Sequence, residues 1–198
     1  MRIKTDARRI SILRAAWEVF REQGFERASM AEISARLGGS KATLYGYFTS
    51  KEALFFAALE DALQDQAEQV FDRLAAPGAL KVRLLGFARA YMSFRLAADP
   101  VAIDRMLIAE AKRSDFADVM RQRYILPRWQ RLADTLAAEM AAGRLRRAEP
   151  RRAAIHLRGL VEADLGERRL HGDDSITAQA IEIEVREGLE AFLRAYAA

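Results

Sequence analysis

Apolar residues recur at Ile10, Leu13, Trp17 and Phe20, with Arg9, Arg14, Glu18 and Arg21 between them. Steps of three and four predict an amphipathic helix with one buried stripe. Gly24 is placed to cap it, and Phe25 to fold back on the cap. A second, shorter pattern follows, in which Met30, Ile33 and Leu37 share a face. Ser29 and Glu32 have the spacing of a capping box, so this helix is predicted to start at Met30, and Gly38-Gly39 can supply the positive φ that ends it. Ser40 then sits where an N-cap belongs, Leu44 and Phe48 fall on one face of a third helix, and Thr49 with Glu52 repeats the capping-box spacing for a fourth. Two short helices on a tight glycine turn, backed by a longer one, form a helix-turn-helix whose last helix can lie in a major groove of DNA.

Helical periodicity continues to residue 197. Leu54, Phe55, Ala58, Leu59, Leu63, Val70 and Leu74 mark a long helix over residues 51–76, stopped by Pro77-Gly78. Further helices are expected over residues 80–97, 101–112, 116–142 with a break or kink at Pro127, 150–170 and 176–197. Nothing reads as a strand. The expected fold is all-α with about nine helices, in two parts: a three-helix DNA-binding domain over residues 1–52 and a helical domain over residues 53–198. Short connections favour antiparallel neighbours in the second part.

The last two helices have apolar faces wider than one stripe, so a second surface must cover them. One reading makes both helices central to the monomer. The preferred reading is a two-fold dimer interface containing Ile155, Leu160, Leu165, Ile183, Leu189 and Phe192, with Gly159, Ala163 and Gly166 allowing close approach.

Composition narrows the chemistry. At 198 residues, 51% apolar and 30% charged, the chain is ordinary for a globular protein. It has no cysteine, which removes disulfides, thiolate catalysis and cysteine metal sites. No apolar run approaches bilayer length and residues 1–9 show no apolar signal core, so a cytoplasmic location with no membrane partner is the default expectation. The net charge is +4, and residues 1–52 carry that entire surplus, with ten Lys or Arg against six Asp or Glu. A basic end on a neutral body is what polyanion binding by one part would leave behind.

Marks of an enzyme are missing. His156 and His171 lack an H-E-x-x-H pattern, no G-x-S-x-G or P-loop occurs, and Glu162 and Asp164 are two apart, so they do not share a helix face. No catalytic residue, metal site or cofactor is assigned. The competing class, an all-helical enzyme on a small hydrophobic substrate, has no residues to carry it.

The segment AAWEVFREQGFERASMAEISARLGGSKATLYGYFTSKEALF, and within it the L-Y-x-Y-F-x-S-K-E-x-L run from Leu44 to Leu54, resembles the N-terminal pattern of the TetR family of bacterial transcriptional regulators. Over the remainder the A-A-G-R-L-R turn at 141–146 and the closing A-F-L-R-A-Y are similar to AefR-type C-terminal domains. Gly39 departs from the pattern, which usually has a small aliphatic residue there.

The resemblance implies a dimeric regulator, usually a repressor, that binds a palindromic double-stranded operator and is released by a small-molecule effector. Ser29, Thr43, Tyr47 and Lys51 match positions that commonly hold phosphates. Ser40, Lys41, Ala42 and Tyr45 match the surface that reads base edges. Arg2, Lys4 and Arg8 could add backbone or minor-groove contacts. For Tyr45 and Tyr47 a core role is the alternative, and for Lys51 a merely solvated position.

In the body, Tyr91, Phe94, Met106, Phe116, Tyr124 and Trp129, with Arg105 and Glu110 as polar anchors, are the candidate effector pocket, although aromatics at helical spacing also suit a core. A DNA-binding protein without a ligand switch is the second reading. Operator, effector and regulated genes are not encoded in any motif.

Overall fold

The computed structural model describes residues 6–110 and 116–198, and for Glu110, Phe116 and Ala117 the backbone alone. Arg2 and Lys4, and the side chains of Glu110 and Phe116, therefore lie outside the described residues. Within them the chain is helical, with α1 (Asp6–Arg27), α2 (Met30–Arg36), α3 (Lys41–Tyr47), α4 (Lys51–Asp72), α5 (Leu80–Arg95), α6 (Ala98–Glu110), α7 (Phe116–Met120), α8 (Leu126–Ala141), α9 (Pro150–Glu162), α10 (Leu165–Leu170) and α11 (Ala178–Tyr196). The described residues contain no strand; a single bridge joins Leu145 to Ala197. None of these helices is long and apolar enough to cross a membrane.

The chain divides into two compact units, residues 1–65 and 66–198, with the division inside α4. In the first unit α1 buries Ile12, Leu13, Ala16, Trp17, Val19 and Phe20, while Ile10, expected on that stripe, is 39% exposed. Gly24, at φ +80°, sets the last turn of α1 apart and returns Phe25 onto Phe20 and Phe55. Phe20 and Phe55 meet edge to face at 4.9 Å, an orientation that aligns ring edges with ring faces.

The α2–α3 connection follows its punctuation closely. Ser29 Oγ accepts a hydrogen bond from Glu32 N at 3.2 Å, as an N-cap should. The Glu32 carboxylate accepts from the Gln23 side chain, so it ties α2 to α1. At the far end Gly39 N donates to Ser34 O and Gly38 N to Ala35 O, the paired bonds of a Schellman motif, with Gly38 at φ +61°. The buried Ser34 hydroxyl adds a bond to Gly39 O at 2.8 Å. For α4 the cap is one residue later than expected: Ser50 Oγ, rather than Thr49, accepts from Ala53 N.

In the second unit Leu84, Phe87, Met92, Leu132, Leu136, Leu157, Val161, Leu165, Val185, Leu189 and Phe192 belong to one buried core drawn from α5, α8, α9, α10 and α11. Gly188 on α11 packs so closely on α9 that a Cβ there would lie 2.1 Å from Leu160 O. Glu139, also buried, is held by Arg83 Nη1 at 3.1 Å and by Arg144, joining α5, α8 and the turn after α8. Arg144 lowers the Glu139 pKa from the usual carboxylate range, against burial, and Arg83 adds to the lowering. Gly143, at φ +69°, makes that turn possible.

Two expected helices are interrupted. Residues 116–142 contain a π-helical turn, Arg121–Ile125, just before Pro127 at the start of α8. The expected helix over 150–170 breaks at Ala163, which has φ +43° and ψ −122°, a conformation a side chain disfavours, and resumes as α10. Sequence gave no warning there, since neither glycine nor proline marks the break.

Candidate functional site

The exposed side of the first unit is built on α3. Leu44 and Phe48 point into the core, whereas Lys41, Ala42, Tyr45 and Gly46 are exposed, Tyr45 by 52%. A core role for Tyr45 is thus excluded; Tyr47 and Thr43 are half-buried at the edge of the same surface. Ser40 Oγ caps the helix by accepting from Thr43 N at 3.2 Å, and lies 3.0 Å from Thr43 Oγ1. Arg9 over the Phe48 ring, 5.6 Å from its centre, ties α3 to α1.

Lys51 departs from the expectation. Its Nζ donates to Phe25 O at 2.9 Å and to Glu26 O at 3.1 Å and lies over the Phe25 ring. The ammonium is neither simply solvated nor free to give all its donors to a phosphate. It closes the carbonyl end of α1, a cation at a helix C-terminus. Charge also distributes differently from the simple two-part picture, because Glu60, Asp61 and Asp65 of α4 reduce the surplus of residues 1–65 to one. The surplus of residues 1–52 is shared between Arg2 and Lys4, ahead of α1, and the stretch from α1 to the start of α4.

The body residues proposed for an effector separate into groups. Tyr91 and Trp129 meet edge to face at 5.1 Å, with Phe71 and Phe87 beside them, and Phe94 packs on the same core. Met106 and Tyr124 are buried outside that core cluster. Arg105 is not a pocket anchor: it donates to Leu170 O at 3.0 Å and Arg169 O at 3.1 Å, capping the C-terminus of α10.

The polar groups that do meet Tyr91 and Trp129 were not found from sequence. The Tyr91 hydroxyl donates to the Glu162 carboxylate, Arg158 Nε donates to the same carboxylate at 2.6 Å, and the Arg158 guanidinium lies 5.2 Å from the Trp129 ring centre. Arg95 pairs with Asp104 at 2.7 Å and stands 4.0 Å from Glu162. Burial, with Glu162 adding to it, pushes the Tyr91 pKa up, so the phenol stays protonated and donates. Burial likewise raises the pKa of Asp104. Only spacing of Arg158 and Glu162 at i, i+4 signalled any of this in sequence.

A separate cleft of about 230 Å³ is lined by Ser93, Leu96, Ala97, Arg169, Asp173, Asp174, Ile176 and Ile181, none of them in the expected pocket.

The six residues expected at a dimer interface also divide. Leu165, Leu189 and Phe192 are buried in the core of their own unit, out of reach of a second chain, because α9 packs on α8, α11 on α9 and α5, and α10 on α6. Ile155, Leu160 and Ile183 are exposed, by 60%, 38% and 46%. Gly159 faces open space, Gly166 approaches the Glu162 carboxylate, and the close helix crossing is made by Gly188.

Residues 12–58 match the family of bacterial regulatory proteins of the tetR type, and residues 82–198 match the C-terminal domain of AefR-like transcriptional repressors. Over 93 residues the chain is 36% identical to the transcriptional activator FasR of Mycolicibacterium smegmatis, covering 47% of this chain and 42% of FasR. Over 77 residues it is 43% identical to the regulator UidR of Escherichia coli, covering 39% of this chain and 37% of UidR. Those matches span about two fifths of each curated relative's length. Among solved structures, the Flavonoid-responsive Regulator FrrA is 34% identical with a TM-score of 0.80, over 98% of both chains. A putative TetR-family regulator from Mesorhizobium loti shares the fold, with a TM-score of 0.86 at 23% identity over 98% of this chain and 100% of that one. With a DNA-binding helix-turn-helix at one end and a matching regulatory domain at the other, this chain is a transcriptional regulator, not an enzyme, and belongs to the TetR family.

Proposed function

We propose that the protein acts as a cytoplasmic homodimer that places two copies of α3 in successive major grooves of a palindromic operator, and that a small molecule in the body domain releases it. The observation that carries the DNA reading is the division of α3 into a buried Leu44–Phe48 side and an exposed Lys41, Ala42, Tyr45 side. Lys41 donates to guanine, and Ala42 and the Thr43 methyl touch thymine methyls, while Ser29 and Tyr47 hold phosphates. Lys51 contributes at most the donor left over from its two carbonyls. Exposed Ile155, Leu160 and Ile183 supply the two-fold contact, which fixes the half-sites about 34–36 Å apart.

For the effector, likeness to a regulator described as flavonoid-responsive and the Tyr91–Trp129–Glu162–Arg158 arrangement favour a hydroxylated aromatic. Coupling of about 1–3 kcal/mol between body and DNA would change affinity roughly 5- to 150-fold. The protein then represses by occupying its operator, in keeping with the AefR-like repressor match.

Selection of binding sites from random duplexes tests the DNA reading: a palindrome with half-sites one helical turn apart is expected, and Lys41→Ala should alter one base preference in each half. Titration of the bound complex with hydroxylated flavones tests the effector. Release that is lost in Glu162→Gln supports this class; indifference to every hydroxylated aromatic, with DNA binding intact, removes it.

A further inference from the structure

Tyr91 and Ser93 stand two apart on α5, so they face different sides of that helix. Tyr91 is buried against Trp129, whereas Ser93 is exposed and borders the 230 Å³ cleft, which shares no residue with the aromatic cluster. One wall of the cleft is apolar: Leu96 and Ala97 come from the end of α5, Ile176 from the loop over residues 171–177 and Ile181 from α11. The more buried charge in it is a cation. Arg169 of α10 is 22% exposed; its Nε donates to Leu96 O at 3.0 Å and its Nη1 to Asp173 O at 3.4 Å, which fixes the plane of the guanidinium. Nη1 also pairs with the carboxylate of Asp174, a side chain that is 83% exposed. Nη2 of Arg169 and the Ser93 hydroxyl have no hydrogen-bond partner among the described residues. Asp173 is already neutralised: it accepts from Arg168 Nε at 2.9 Å, from Arg168 Nη2 at 2.6 Å and from Ser175 N at 2.8 Å.

We infer that this cleft is a second small-molecule site of the body, that it takes a small monocarboxylate with a short apolar tail, and that Asp174 fills its anion position in the free protein. A planar guanidinium held from behind by two main-chain carbonyls is preorganised for a carboxylate, and Ser93 adds a hydroxyl donor on the other side of the cleft. Leu96, Ile176 and Ile181 offer the tail a surface to leave water on. The volume lies below the range of about 300–1,000 Å³ usual for drug-sized ligands, so the tail is a few carbons long. Displacing Asp174 costs little, because an exposed ion pair contributes little and the released carboxylate returns to water. The site stands apart from the proposed effector pocket and does not depend on it.

Hexanoate is titrated into the full-length protein and followed by NMR at the methyl groups of Ile176 and Ile181 and at the indole N–H of Trp129, with hexanol and hexylamine run alongside. Saturable shifts of both isoleucines with hexanoate, an unmoved indole and no such response to hexanol or hexylamine are expected. Arg169→Gln should weaken hexanoate at least about tenfold, the loss of hydrogen bonds from a charged donor. Asp174→Asn should tighten it about 2- to 5-fold, the worth of the exposed ion pair that competes with it. Thermal melting identifies a variant that fails to fold; should Arg169→Gln fail, Asp174→Asn, altered at an exposed position, still decides. Absence of a saturable shift, an equal response to hexanol or hexylamine, or a shift of the Trp129 indole without the isoleucines overturns the site. Hexanoate affinity unchanged or weakened in a folded Asp174→Asn overturns the role of Asp174 as its internal competitor.

Discussion

The ammonium of Lys51 lies 4.4 Å from the centre of the Phe25 ring and donates to the Phe25 carbonyl at 2.9 Å. A residue whose position in the sequence suggests a phosphate ligand is thereby a clamp between α4 and the last turn of α1. Hydrogen bonds from a charged donor are worth about 1.5–3 kcal/mol and a cation over a ring adds about 0.5–1. Lys51→Met should lower unfolding free energy by about 2 kcal/mol in urea denaturation. It should change the salt slope for DNA by less than one unit; an unaltered stability with a full unit lost from the slope would return Lys51 to the phosphate role.

Glu139 makes stability depend on pH in a stated direction. Its pKa is depressed in the folded state, first by the Arg144 hydrogen bond and against burial, so its contribution is complete above the unfolded value of about 4.3 and is lost as pH falls through the folded one. Glu139→Gln should be less stable than wild type at neutral pH, since it leaves Arg83 and Arg144 without their carboxylate. Melting temperatures of the two proteins should converge as the pH falls below the unfolded value. A constant gap would mean that the loss is one of packing.

Gly188 and Gly159 are alike in sequence and opposite in surroundings. Gly188→Ala forces a methyl against the Leu160 carbonyl and should cost about 3 kcal/mol or more, whereas Gly159→Ala meets nothing within 4 Å and should gain up to about 1 kcal/mol in the monomer from helix propensity. Differential scanning calorimetry separates them. If Gly159→Ala instead weakens self-association, a second chain approaches that face.

Ile155 and Ile183 test the two-fold contact directly. Charged replacements, Ile155→Glu with Ile183→Glu, should leave the melting temperature within a few degrees, because both side chains are largely exposed, yet shift sedimentation to the monomer and abolish tight operator binding. A dimer that persists moves the interface elsewhere.

The local parts of this molecule were legible in its sequence. Ser29, Ser40 and Gly38 announce the ends of α2 and α3 because a cap is decided within four residues, and Leu44 with Phe48 fixes which side of α3 faces inward. Long-range relations were not. Periodicity marks Leu165, Leu189 and Phe192 as covered but cannot say by what, and the covering turned out to be their own unit. Polar groups distant along the chain, such as Arg83 with Glu139 or Tyr91 with Glu162, carry no pattern that pairs them. Thr49 and Ser50 both can cap, and it is Ser50 that does.

The contact of Gly188 with Leu160 has a mechanical corollary. Two rods meshed tooth in notch cannot slide past each other without a collision of main chains, so α9 and α11 travel as one rigid beam.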